Sequence, residues 1–507
     1  MDRTLATRAL AAAFVVGTIA QALLFNLGLG VNVVLLSALL VGAGAAIGGH
    51  ARRIDPADVW IPIAAIAVSA AIAVRSDPML VFLDAVTAMT LLGASMAAFA
   101  GAAITRRSAL AITAAGAVVL AFLFVGILRL TEVVRRREPG PSWRSRIPPA
   151  AVPILRGLVI ALPILFVFSV LFSSADAIFA SATERLFTWQ VDLGELPMRA
   201  SLAFLVAWVV AGLLAVAIGG ADRLLDEQAP VAQSLGAAVA EPLPLLPRLG
   251  ATEALTILVA VDVLFGSFVL LQVAYLFGGL DTLTAGGITY SSYARRGFFE
   301  LVAVTCLAGG LVVGLHALVT HRTRGFVVAA VALSVLTFAI LFSAAFRLRL
   351  YQEAYGWTEL RFYIYATIAW LGLGIVAAVV LLARDRMRWL PHAMAMSAVG
   401  VLLAVNVVGP LRYVAEQNVA RLLDPSLVPP GGRVGLDVDY ALGLSGDDAV
   451  PSFVAALPAL TDIDRAFVLK DLEDRWQQLQ QPELAGWPAW NLSREQARTA
   501  LGPLFAR

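Results

Sequence analysis

Twelve runs of apolar residues, each about long enough to cross a bilayer as a helix, leave this chain few folds to choose from. They cover roughly residues 9–29, 31–49, 57–74, 79–104, 109–130, 150–173, 197–219, 255–277, 298–319, 325–346, 361–383 and 392–410, and the breaks between them carry Arg, Pro or Gly. Backbone groups in lipid must find partners within their own segment, so runs of this length read as helices. The period-two alternation that a membrane barrel needs is missing. Only 14% of the 507 residues are charged and 60% are hydrophobic. A soluble chain carries about 25% charge, so a soluble globular enzyme and a disordered chain are both excluded. Cys306 is the only cysteine, which excludes a disulfide scaffold. The fold class is therefore all-α: a polytopic helical membrane protein with about twelve transmembrane segments, or eleven if one early segment is re-entrant.

The apolar character that begins at Ala9 continues almost unbroken to Gly49, far beyond the apolar core of a cleavable signal peptide, and implies two retained segments. Orientation follows from arginines in short loops. Placing Arg135, Arg136, Arg137, Arg144 and Arg146 in the cytoplasm also puts Arg322, Arg324, Arg384, Arg386 and Arg388 there, with the acidic stretch from Asp176 to Glu195 outside. If all five early segments cross, however, Arg52, Arg53, Arg106 and Arg107 land outside.

The expected organisation is five membrane segments in residues 1–149, two more with an outer loop in 150–219, a Pro-rich cytoplasmic linker at 220–251, about five segments in 252–410 and a small soluble helical domain in 411–507. From Arg412 onward nine basic residues face thirteen acidic ones. In this tail Asp462 is expected to cap a helix buried through Ala466, Leu469, Leu472, Trp476 and Leu479, and Ser493 with Gln496 reads as a capping box.

Signatures of catalysis and metal binding are missing: there is no H-E-x-x-H and no P-loop, and the four histidines have no zinc spacing. No catalytic residue, metal or cofactor is expected. Two intramembrane carboxylates, Asp84 and Asp262, are candidate polar sites, since an ionisable group in hydrocarbon usually faces protein or water; both lie near helix starts, where snorkelling is the alternative. Gly44-x-x-x-Gly48 and Gly310-x-x-x-Gly314 read as close-packing motifs.

Three loop clusters break the apolar background: Ser173 to Phe179 with Asp176; Tyr290 to Glu300 with Tyr293, Arg295, Arg296 and Glu300; and Arg347 to Arg361 with Arg349, Tyr351, Glu353, Tyr355 and Glu359. Aromatics beside Arg at helix ends also fit an ordinary interfacial belt. In the orientation above all three lie on the outer face, where forked Arg donors and Tyr hydroxyls form a polar rim suited to an anionic lipid or envelope ligand.

The same clusters resemble those of an uncharacterised group of bacterial polytopic membrane proteins, domain of unknown function 4173, related to the 4153 group. The resemblance rests on the Ser-Ser-Ala-Asp run ending at Asp176, the Tyr-Ala-Arg-Arg-Gly-Phe-Phe-Glu-Leu run through Glu300, and Tyr351 to Arg361. It extends to Leu436 through Tyr440, Asp448 through Pro451 and Trp490 through Arg494. It covers residue 150 to the end and implies a bacterial inner-membrane location with no established activity.

Two functions are then open. One is a non-enzymatic membrane protein, transporter-like or an envelope sensor or assembly factor, binding its ligand at the outer rim. The other is a membrane-embedded enzyme acting on a lipid-linked or anionic envelope substrate, with Asp176, Glu300 or Glu353 as acid or base. Membrane lipids are partners in either case. Nucleic acid is not, because 37 basic residues against 35 acidic ones make no basic field.

Overall fold

The computed structural model describes residues 3–48, 54–106, 109–135, 195–219, 250–277, 298–319, 321–429, 432, 435–444 and 446–506. Its long elements are α1 (Arg3–Leu24), α2 (Val31–Gly48), α3 (Trp60–Ile72), α4 (Pro78–Phe99), α5 (Ala109–Arg135), α6 (Leu196–Gly219), α7 (Ala251–Phe277), α8 (Phe298–Leu318), α9 (Arg324–Tyr355), α10 (Glu359–Ala383) and α11 (Leu390–Val408). Among the described residues nine helices are long and apolar enough to cross a membrane. Their outward faces carry large apolar side chains, such as Met89 at 72% exposure and Leu307 at 73%. Apolar surface on this scale needs hydrocarbon around it, and the chain is a multi-pass membrane protein. The expected segment at 150–173 and the linker at 220–251, but for its last two residues, lie outside the described residues.

The chain divides into two compact units, residues 1–69 with 88–238 and 486–489, and residues 70–87 with 239–485 and 490–507. In the first, α1 and α5 both pack on α6. Small residues let the backbones approach: a Cβ on Gly17 would lie 2.4 Å from the Ala203 carbonyl oxygen, and one on Gly126 2.7 Å from the Gly212 Cα. Gly44 and Gly48 pack on Met96, Phe99 and Ala217 as the motif implies. Asn32 fixes the α1–α2 connection, donating to the Leu23 and Gly28 carbonyls and accepting from the Gly30 and Val33 amides. Gly310 and Gly314, in the second unit, meet nothing within 4 Å among the described residues, so that motif makes no close helix contact there.

In the second unit α9 is central and packs on α7, α8 and α10. Phe326, Ala330 and Leu333 fill one end of that core, and Ile340, Ala344 and Leu348 the other. The α9 helix outruns its apolar stretch by about two and a half turns. Arg347 to Tyr355, expected as loop, is helical because Arg, Leu, Gln, Glu and Ala are good helix formers. It stops where Gly356 takes φ of 82°.

The tail continues as α12 (Pro410–Leu423), α13 (Val438–Leu442), α14 (Val450–Ala456), α15 (Asp462–Leu479) and α16 (Leu492–Phe505). Leu411, Phe453, Leu472, Leu479 and Leu501 share one core. Taken out of water, each such side chain contributes about 1.5–3 kcal/mol of burial. Two helix starts differ from expectation by a residue or two. Thr461, not Asp462, caps α15, and Asn491, not Ser493, caps α16, in each case accepting the backbone N–H three residues on. Val468 is buried in α15, whereas Ala466 is exposed.

Candidate functional site

Of the expected rim, Asp176, Tyr293, Arg295 and Arg296 lie outside the described residues. Glu300 sits in the first turn of α8. The third cluster is brought together at the α9–α10 connection. Arg349 donates from Nε to Glu353 Oε1 at 2.7 Å, and the Tyr351 and Tyr355 rings lie 4.9 Å apart. Arg347 is half-buried one turn below. Arg361 stands over the Tyr351 ring at 4.4 Å and donates to the Gly356 carbonyl.

Much of this cluster serves the tail. Asn418 of α12 clamps Trp357 from both sides, accepting its N–H at 2.9 Å and donating to its carbonyl at 2.8 Å. Arg421 donates to the Glu353 and Ala354 carbonyls, two of the acceptors left open at the end of α9. The Glu359 amide donates to the Tyr440 hydroxyl at 2.7 Å. Arg349 and Tyr355 remain exposed.

A second polar constellation, which the residue-by-residue reading did not assemble, surrounds the α3–α4 connection. Asp77 caps α4, accepting from Met79 and Leu80, and Pro78 follows at the first helical position. The carbonyls left open at the end of α3 are taken by the start of α16. Asn491 Nδ2 reaches the Ile72 and Arg75 oxygens at 2.9 and 2.8 Å, and the Leu492 and Ser493 amides reach Ala73 and Val74. Arg75 closes α11 in the same way, donating to Asn406 O at 2.6 Å and Val407 O at 2.7 Å. Its third contact is Asp448, at 3.3 Å, with the two side chains only 8% and 1% exposed. Asp448 also accepts from the Ser76 amide and hydroxyl and from Ser493. Gly409, at φ of 74°, leaves room for the guanidinium, since a Cβ there would lie 2.6 Å from Arg75 Cζ.

Asp84 lies below this clamp. It is fully buried, so the snorkelling alternative fails; Asn406 Nδ2 donates to its Oδ1 at 2.8 Å and to the Leu402 carbonyl at 3.0 Å. The Tyr363 hydroxyl donates to Asp77 Oδ2 at 3.1 Å. Burial pushes the Asp77 carboxyl above the ordinary carboxylate range, against the hydrogen bonds from Leu80 and Tyr363. Burial raises Asp447 too, with Arg475 and Arg494 opposing. Asp262, the other intramembrane candidate, is half-buried on α7, and its Oδ1 makes no hydrogen bond among the described residues.

A cleft of about 430 Å³ opens beside Asp448, lined also by Arg412, Glu416, Ser452, Glu495 and Gln496. Among the described residues no three His, Cys, Asp or Glu are grouped to hold a metal. The sequence signals for the clamp are Asp77-Pro78, the sign of a capped helix start, and Arg75 between two apolar runs. Nothing local announces that Asp448 and Asn491 meet them.

No curated protein and no solved structure matches the chain. One family does, described as Domain of unknown function (DUF4153), over residues 62–456. The match supports the related 4153 group of the resemblance and not 4173 itself; it begins within the early membrane segments instead of at residue 150 and ends at residue 456 instead of at the end of the chain. It takes in Arg75, Asp77, Asp84, Asn406 and Asp448, together with the α9–α10 rim, and ends before Asn491 and Ser493. With well over half of its length matched, the chain belongs to the DUF4153 family.

Proposed function

We propose that this is a non-enzymatic protein of the bacterial inner membrane, an envelope sensor, assembly factor or transporter-like carrier, that binds an anionic lipid or envelope ligand at its outer α9–α10 rim. The observation that carries the reading is Arg349, 67% exposed, whose bond to Glu353 uses Nε and leaves the terminal nitrogens for a ligand. A fork of that kind suits phosphate or carboxylate oxygens. The Tyr351 and Tyr355 rings lie together on the same last turns of α9.

The tail's contacts bear on the topology. Arg75 bonds the last carbonyls of α11, so the α3–α4 connection and the end of α11 belong to one membrane face. The number of crossings between residues 77 and 410 is then even. Nine apolar segments lie there, and one of them does not cross. With the shared face outside, Arg322, Arg324, Arg384, Arg386 and Arg388 stay cytoplasmic, and Arg52, Arg53, Arg106 and Arg107 join them. The Arg322–Asp385 pair, at 2.6 Å, supports a common side for the α8–α9 and α10–α11 connections. Keeping 176–195 outside leaves 109–130 or 150–173 as the exception and gives eleven crossings, with the tail as a soluble outer domain.

Thermal unfolding in nanodiscs of phosphatidylglycerol against phosphatidylcholine tests the rim. Stabilisation by the anionic lipid is expected, weakened by salt and lost in the double variant Arg347→Ala, Arg349→Ala. No stabilisation, or an unchanged one in the variant, refutes it. Single cysteines at Met79 and Leu427, on a Cys306→Ser background, should label from outside and one at Arg107 from inside. Labelling of Met79 and Leu427 from opposite sides would overturn the topology.

A further inference from the structure

We propose that Asp84 and Asn406 form a proton-binding acid–amide pair within the membrane part of the protein. Two oxygens carry the argument: Asp84 Oδ2 and Asn406 Oδ1 are both buried, and among the described residues neither has a hydrogen-bond partner. They belong to side chains already joined through the other half of each group, Nδ2 to Oδ1, at 2.8 Å. The second Nδ2 bond, to the Leu402 carbonyl, fixes which way the amide faces. What the pair lacks is one donor between two acceptors. A proton on Asp84 Oδ2, donated to Asn406 Oδ1, supplies it and completes an eight-membered acid–amide ring.

Counter-charge does not offer an alternative. Arg75 is a cation that touches Asn406, and its guanidinium is taken by Asp448 and by the Asn406 and Val407 carbonyls. The titratable groups that interact with Asp84 are themselves acidic: Asp77 on the connection before α4 and Tyr363 on α10, with Glu359 and Asp448 beyond them against Asp77. An ionised Asp84 would be a buried anion among acids with no cation of its own, an arrangement that costs far more than the neutral acid. Because Asn406 supplies both the amide of this pair and a carbonyl that Arg75 holds, loss of the proton bears directly on the seat of the tail.

Infrared difference spectroscopy on the intact protein, between acid and alkaline pH, tests the pair. A protonated-carboxyl C=O band that shifts in D2O, vanishes in Asp84→Asn and moves to higher frequency in Asn406→Ala is the expected result. Asp84→Asn, close in shape to the neutral acid, should also flatten the pH dependence of thermal stability. If Asp84→Asn does not fold, the wild-type band and its shift in Asn406→Ala still decide the matter. A wild-type spectrum without such a band, or a band untouched by both variants, overturns the proposal. Stability that follows sodium or potassium concentration at constant ionic strength, and loses that dependence in Asp84→Asn, would overturn it in favour of a metal-cation site.

Discussion

Replacing Asp448 by Ala isolates what the Arg75 clamp is worth. The pair lies 3.3 Å apart and both side chains are almost fully buried. With charge centres about 4 Å apart and an effective dielectric of about 20, the attraction lost is about 4 kcal/mol. The Ser76 and Ser493 donors lose their acceptor too, at about 1–3 kcal/mol for each group that stays buried and unsatisfied. Water entering from the adjoining cleft offsets part of this. A net loss of about 3–5 kcal/mol is expected, the range found when one partner of a buried pair is removed. The assay is reversible denaturant unfolding of the tail in detergent, read from its tryptophans, with Arg412→Ala as control. Arg412 pairs with Glu416 on the surface, where such pairs are worth about 0.2–1 kcal/mol. The double variant Arg75→Met, Asp448→Leu should recover only part of the loss, because the α11 carbonyls and Ser76 remain without partners. A single-variant loss no larger than the Arg412 control would refute the reasoning and reduce the clamp to a surface contact.

Three shorter predictions follow from the same geometry. Gly409→Ala forces a Cβ to within 2.6 Å of Arg75 Cζ at a positive φ, and should destabilise the protein by more than the roughly 1 kcal/mol of the backbone penalty alone; an unchanged melting temperature would count against the close approach. Asn418→Ala strands the amide and carbonyl of Trp357 together, for an expected loss of about 2 kcal/mol and a red-shifted Trp357 emission, checked by fluorescence-detected melting. Asp77 and Asp447, held above the ordinary carboxylate range by burial, bind protons more tightly folded than unfolded. The unfolded chain releases these protons first as pH rises, so stability falls from the ordinary carboxylate pKa up to the raised one and is level above it. Asp447→Asn should shrink that slope in melts taken across the acid range, and a slope of unchanged size would exclude Asp447 as its source.

The membrane helices were legible because their signal is local and long. The ends of α2, α6 and α10 fall within two residues of the apolar runs that announced them. The extension of α9 was not legible from hydropathy, since Arg347 to Glu353 is polar yet strongly helix-forming, and the stop is a backbone property of Gly356. Asp84 shows the sharper limit. Its distance from the helix start allowed snorkelling, yet it is buried and bonded to Asn406, more than three hundred residues away. Arg75, Asp448 and Asn491 each lie in a separate stretch that says nothing of the other two. Their meaning comes from a meeting that no periodicity encodes.

That meeting follows one physical rule applied three times. A helix leaving the membrane ends in carbonyls with no partner, and near hydrocarbon water does not reliably supply one. The end of α3 is closed by Asn491 and the two amides after it, the end of α11 by Arg75, and the end of α9 by Arg421. Two of the three closures come from the tail, and the remaining one, Arg75, is itself held by a tail carboxylate. The tail therefore closes helix ends within its unit instead of standing apart from them. Removing residues 491–507 should then loosen α3 and α4 before it touches α9, whose cap lies on α12. Hydrogen exchange would show this order as lost protection at residues 72–80 with protection at 350–357 retained. Equal loss at both would mean that the tail acts as one indivisible plug, and that the separate closures do not set its contribution.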